Sequence, residues 1–194
     1  MRHALILLLF LAVGACPAQD GVFQILHNGN VLGKINVLRV SRGDSVTYSM
    51  VSRSNFTFLW KREVNTVTRT LYVAGRVTNC LTTVHEGDAL RDSSAMRAIG
   101  SSGLYVMHPR QVYAAELPKN PWTSTRLYYE EPVGQSRVFV ESELKDCALE
   151  RIAPGEYVLQ LPNKEKNHYV YRNGRLHEIR VDRGWFGLVF RRVA

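Results

Sequence analysis

Long tracts of alanine, leucine, glutamate and lysine, the raw material of helices, are missing from this sequence after its first eighteen residues. β-Branched and aromatic residues are spread evenly instead, in short runs broken by Gly, Asn and Asp, which predicts a β-dominated chain. Cysteine is scarce: Cys16, Cys80 and Cys147 are the only three, and none has the close spacing of a metal or redox motif. No glycine-rich phosphate loop opens a helix, and no serine elbow is present. The histidines are dispersed. Only His168 and His177 fall on one expected hairpin, without a third ligand, so no metal and no cofactor is expected.

Acidic residues are in the minority, 17 against 25 basic, for a net charge of +8. The basic residues are scattered, the densest groups being Lys61-Arg62 and Arg191-Arg192. Without a basic helix, zinc-finger spacing or an aromatic RNA-binding motif, that charge reads as solvated strand faces and excludes a nucleic-acid protein. A continuous apolar run occurs once, from Ala4 to Val13 behind Arg2 and His3. It is shorter than the roughly 20 residues a membrane helix needs and fits a signal peptide over residues 1–18, leaving a single β-rich domain over 19–194. No transmembrane span is expected, and the outlook is export across the inner membrane to the periplasm or cell envelope. Val13-Gly14-Ala15-Cys16 also fits a lipobox, which would put a lipid on Cys16. In an oxidising compartment Cys80 and Cys147 either pair as a disulfide or stay as two buried thiols.

The stretch Tyr157 to Val181 organises the rest. Asn173-Gly174 between alternating runs is a type I′ hairpin signal, because both central residues need positive φ. A two-residue turn there sets Tyr171 opposite Leu176 and Val170 opposite His177. It puts Tyr169, Tyr171 and Leu176 on one face and His168, Val170, His177 and Ile179 on the other. Upstream, strands are expected over 22–27, 31–41, 45–53, 64–73, 77–85, 89–99 and 104–107. Gly33 marks a bulge or close backbone approach, and Arg42-Gly43-Asp44 marks a turn. Pro109, Pro118, Pro121 and Pro132 then interrupt the rhythm. Asn120-Pro121 reads as the N-cap and first residue of a short helix near 121–129. Strands resume over 137–140, 148–152, 157–161, 167–172, 175–181 and 185–193. The fold class is therefore all-β, a mainly antiparallel meander. Strand twist curls it into a strongly curved sheet, β-roll or half-barrel with one short helix. No consistent lipid-facing alternation appears, which argues against an outer-membrane barrel.

Leu127-Tyr128-Tyr129-Glu130-Glu131-Pro132, Arg137-Val138-Phe139, and the ending Leu161-Pro162 with Asn167-x-Tyr169-x-Tyr171-Arg172-Asn173-Gly174 carry a resemblance. The chain resembles an uncharacterised domain-of-unknown-function family of secreted, β-rich envelope proteins from Gram-negative bacteria. The resemblance covers the last third well and the N-terminal strands in pattern. It departs at Lys164-Glu165, where the family has a Gly-containing turn, and at Val140. It implies the fold and the compartment and no activity.

Two groups of side chains stand out as candidates. Phe58, Trp60, Trp122, Tyr128 and Phe139 could line a concave apolar pocket for an acyl chain or similar ligand, or could be ordinary core. Glu131, Arg137 and Glu141 could form a polar site, since paired carboxylates at a suitable spacing serve hydrolysis. The sequence points first to a non-catalytic envelope protein holding an apolar or lipid-like ligand, or an envelope partner, in a curved sheet. A structural or interaction module is the second reading, and a hydrolase using Glu131 and Glu141 the third. A fully packed interior would count against the first, and an exposed edge strand would favour the second.

Overall fold

The computed structural model describes residues 18–57, 61–108, 111–182 and 187–194. Eight strands follow one another as an antiparallel meander: β1 (Ala18–His27), β2 (Asn30–Arg42), β3 (Ser45–Thr57), β4 (Lys61–Val73), β5 (Arg76–Glu86), β6 (Ala89–Ile99), β7 (Ser102–Met107) and β8 (Gln111–Glu116). After a non-strand segment, six more do the same: β9 (Arg137–Val140), β10 (Lys145–Ala153), β11 (Glu156–Gln160), β12 (Lys166–Arg172), β13 (Arg175–Asp182) and β14 (Gly187–Arg192). The last strand pairs with the first, so one sheet of 14 strands runs from β8 through β1 and β14 to β9. The curved, antiparallel, nearly all-β architecture read from the sequence is the one observed.

The sheet does not close edge to edge. It rolls until β9 lies against the concave face of β4 and β6. There the Thr70 hydroxyl donates to the Glu141 carboxylate and the Ser94 hydroxyl to the Glu141 carbonyl, each at 2.7 Å. Val138, Phe139 and Val140 are consequently all buried. A strand covered on both faces reads as an unbroken apolar run, which is how Val138-Phe139-Val140 is written. The rest of the inner face builds one core in which Phe23, Ile35, Leu149, Leu159, Leu176 and Ile179 are shielded from solvent.

The terminal hairpin shows where local reading holds and where it slips. Asn173 and Gly174 have φ of 53° and 72°, as a type I′ turn requires, and Tyr171 does oppose Leu176. A bulge at the next position sets Val170 against Glu178 rather than His177. An extra residue flips everything beyond it to the other face. Ile179 therefore opposes Tyr169 and is buried with it, correcting the expected face. At Gly33 the expected close approach is present. A Cβ there would lie 2.0 Å from the Arg53 carbonyl oxygen, and the β1–β2 register shifts beside it.

The helix near 121–129 is reduced to one 3-10 turn at Arg126–Tyr128. The Asn120 side chain does accept the Trp122 N–H at 2.8 Å, but the backbone beyond it pairs sideways. Phe139 N–H donates to the Trp122 carbonyl (2.8 Å) and Ser124 N–H to the Phe139 carbonyl (3.0 Å), a parallel bridge on the rim of β9. The open edge of β9 offered those amides a partner before a helix could. Strand β8, lodged between Pro109 and Pro118, was not anticipated; prolines at both ends hid a six-residue strand.

Candidate functional site

Residues 120–131 fill the roll, and the residues expected to form a pocket or catalytic pair are the ones that hold this plug. Four tyrosines on the inner face of the sheet reach it through their hydroxyls. Tyr48 donates to Glu130 (2.8 Å), Tyr72 to Thr123 (3.0 Å), Tyr157 to Glu131 (2.9 Å) and Tyr171 to the Leu127 carbonyl (2.7 Å). From the plug, Tyr129 donates to the Ser49 carbonyl at 2.9 Å. Buried tyrosine keeps a polar end that must be partnered, so each ring adds apolar area and fixes one point of the plug. Burial holds the Tyr72 and Tyr171 hydroxyls far above the ordinary tyrosine pKa, so they stay donors.

Glu141 is the most enclosed of the acidic residues described. Its carboxylate is fully buried and accepts from Thr70 Oγ1 (2.7 Å), Thr125 Oγ1 (2.5 Å), Thr125 N–H (3.2 Å) and Ser124 N–H (3.0 Å), and from the Ser124 hydroxyl. No cation is among these partners. Five donors solvate the charge in place of water, which is the condition for keeping a carboxylate inside a protein. It joins β4, β9 and the plug.

The proposed polar trio is thus not assembled. Glu131 is taken by Tyr157, Glu141 by the threonine and serine donors, and exposed Arg137 donates to the Asp146 carbonyl at 2.7 Å. Of the aromatic five, Phe58 and Trp60 lie outside the described residues. Tyr128 is buried in edge-to-face contact with Phe23, with ring centroids 5.4 Å apart. Trp122 lies under the Arg126 guanidinium at 4.1 Å from its ring centroid. Arg126 in turn bonds Glu130 at 2.6 Å. Phe139 is core on β9, with one edge in the cleft described below. Residues 1–17 of the expected signal peptide, Cys16 among them, also fall outside the described residues, whereas Ala18 opens β1. Cys80 and Cys147 are buried free thiols, not a bridge. Cys147 shares the face of Val138, its partner in register, whereas Cys80 sits beside Glu141, on the opposite face of the β9 layer. Among the described residues no three metal-ligating side chains converge. His168 instead meets Glu156 at 3.0 Å.

What the roll leaves open is a rim. Of the two sheet edges, β9 is covered: Asn120 bonds the Arg137 carbonyl, and Trp122 and Ser124 take the Phe139 amide and carbonyl. Strand β8 has β7 as its sole strand partner among the described residues. Its outward side chains continue an apolar row across four strands, Leu81 opposite Ala95, Ala95 opposite Val106 and Val106 opposite Val112. Leu104 and Ala114 lie beside that row. Its inward side chains include Tyr113, stacked on Tyr105 with centroids 5.2 Å apart and planes 7° from parallel. Beneath β8, between it and the β9–β10 layer, a cleft of about 360 Å³ is lined by Tyr105, Tyr113, Leu117, Phe139, Leu144 and Asp146. The Oδ1 atom of Asp146 is buried and has no hydrogen-bond partner. A bare edge with an exposed apolar row was not legible in the sequence because β8 itself was not.

A rolled, incompletely closed antiparallel sheet, plugged from within and, among the described residues, unpaired along one edge, is the class of protein this geometry defines. The family described as a domain of unknown function, DUF6134, matches residues 23–193, and the chain belongs to it. No curated protein matches. Among solved structures, it is similar in fold to the crystal structure of a β-barrel-like protein of domain of unknown function DUF1849 from Brucella abortus. The TM-score is 0.58 at 12% identity, over 94% of this chain and 98% of that one.

Proposed function

We propose that this chain is a non-catalytic protein of the bacterial cell envelope that recruits a partner polypeptide by strand addition at β8. The single observation that carries this reading is the asymmetry of the two edges, one covered by the plug and the other, among the described residues, unpaired beside an apolar row. An edge of unpaired N–H and C=O groups is a template for another strand, and proteins normally blunt it with charge, proline or a covering segment. Within Gln111–Glu116 the sole charge is Glu116 at the end. The reading of an apolar ligand held inside the curved sheet loses support, because residues 120–131 occupy that space and their polar groups are matched to the wall. Export rests on the apolar run Ala4 to Val13 and its basic start.

Amide hydrogen exchange of the mature chain, with and without blocked seven-residue peptides of alternating valine and threonine, tests strand addition. The expected result is protection of the amides of β8 when peptide is bound and loss of that effect in Val112→Pro, which cannot donate to a ladder. Unchanged exchange along β8 with every peptide tried counts against the reading. A dimer whose β8 is protected before any peptide is added would instead assign the edge to a second copy.

A further inference from the structure

We infer that β8 selects a strand that carries an aromatic side chain in register with Tyr113. This inference rests on strand addition at β8 and names the chemistry of the partner. Tyr113 stands directly opposite Tyr105 in the β7–β8 ladder, and the two rings are stacked, with centroids 5.2 Å apart and planes 7° from parallel. That separation is close to the roughly 4.8 Å spacing of neighbouring strands, so the rings stack along the hydrogen-bonding direction of the sheet. One face of the Tyr113 ring therefore meets Tyr105, and the other is turned to where a strand added to β8 would lie. The exposures agree with this placement. Tyr105 has Met96 opposite it on β6 and Tyr113 opposite it on β8, and is 3% exposed, whereas Tyr113 is 38% exposed.

The inner ring of the stack is fixed from two directions. The Tyr105 hydroxyl donates to the Glu116 carbonyl at 2.6 Å, and the Cε2 edge of the ring lies over Gly103, where a Cβ would come within 2.7 Å of it. A ring held at that angle sets the angle of Tyr113, so the pair presents a flat face before any ligand arrives. A partner ring completes the stack without reordering the wall, which is where preorganisation gains affinity. Offset-stacked rings also attract each other beyond the area they bury. The row that leads to Tyr113 across the inner face runs through Cys80, Met96 and Tyr105, each opposite the next in register, and none of them is acidic. A flat guanidinium would join that row without a carboxylate in it, whereas a neutral ring needs none.

The probe is a fluorescently labelled, end-blocked peptide, Val-Thr-Val-Tyr-Val-Thr-Val, compared by anisotropy with the same peptide carrying leucine or arginine at its centre. With its valines on the outer face, the peptide points its central residue to the face that Tyr113 occupies. On the mature full chain the tyrosine peptide is expected to bind about fivefold more tightly than the leucine peptide, with arginine weakest. In Tyr113→Leu the tyrosine preference is expected to vanish while leucine binding is unchanged, and that unchanged binding reports that the edge is still folded. Equal affinity for tyrosine and leucine on the wild type overturns the inference and leaves strand addition standing. So does a tyrosine preference that survives Tyr113→Leu, and so does arginine binding as tightly as tyrosine. Absence of binding by all three peptides overturns both readings together.

Discussion

Glu141 and Glu178 each tie distant segments together, one through neutral donors and the other through guanidinium groups, which makes them separable by experiment. Glu141→Gln keeps the size of the side chain but turns one acceptor into a donor facing the donors of Ser124, Thr125 and Thr70. The expected loss is about 2–4 kcal/mol in chemical unfolding, the range for an unmatched buried polar group, whereas exposed Glu150→Gln changes little. Glu178 tests the role of charge. Burial alone would raise its pKa, but the guanidinium groups of Arg180 and Arg191, at 2.8 and 2.9 Å, outweigh burial and hold it below the ordinary 4.5. A carboxylate with a depressed folded pKa stabilises the fold above its unfolded pKa and loses that contribution as pH falls through the folded value. Thermal midpoints are therefore expected to drop below about pH 4.5, and Glu178→Gln should lower the midpoint at neutral pH while flattening that slope. An unaltered slope would remove Glu178 from the account. The thiols give a third residue-scale test. Burial pushes Cys80 up to about 12, so almost none of it is thiolate at neutral pH. Cys80 and Cys147 are both expected to resist alkylation in the native chain and to react after denaturation. A mass two hydrogens light in denaturant under non-reducing conditions would show that they pair after all.

Individual strands were readable to the degree that their signals are local. Arg42-Gly43-Asp44, Asn173-Gly174 and Gly33 each announce a backbone conformation within two or three residues, and each is found where expected. The failures are non-local. Nothing near His177 announces its bulge, which follows from how β12 and β13 meet the core beyond the turn. The expected helix had a valid cap in Asn120. It was lost because the rim of β9 and the Glu141 carboxylate, more than ten residues away, took the amides a helix needs. The candidate site is non-local in the same way: whether Glu131, Glu141, Tyr128 and Phe139 line a cavity or hold a plug depends on what fills the roll, which no signal near them gives. Gly33 supplies the test at this scale. Gly33→Ala places a Cβ on the backbone of Arg53, which cannot move without breaking the β2–β3 ladder, so the variant is expected to be recovered mainly as insoluble protein. Soluble Gly33→Ala with a wild-type melting point would mean that β2 and β3 can separate there at little cost.

Two joints hold the molecule together, and they lie on different surfaces. One is the β1–β14 ladder, where Phe190 sits opposite both Ile25 and Ile179 and joins the eight-strand run to the six-strand run within the sheet. The other is the face-to-face contact through which Glu141, Tyr48 and Tyr72 tie the first run to the plug and to β9. Each joint closes contacts between residues far apart in sequence, and forming either one removes most of the loop-closure cost of the other. Cooperativity should therefore survive loss of either joint and fail with loss of both. Phe190→Ala removes a half-buried ring at an expected cost of about 2–3 kcal/mol. Alone, it should leave one unfolding transition, as should Glu141→Gln. In the double variant, native-state hydrogen exchange is expected to resolve two openings, with β10–β13 losing protection at lower denaturant than β2–β6. If the double variant still opens as one unit, with additive losses, then a contact other than these two couples the runs, and the remaining tyrosine pins at Tyr157 and Tyr171 become the residues to remove next.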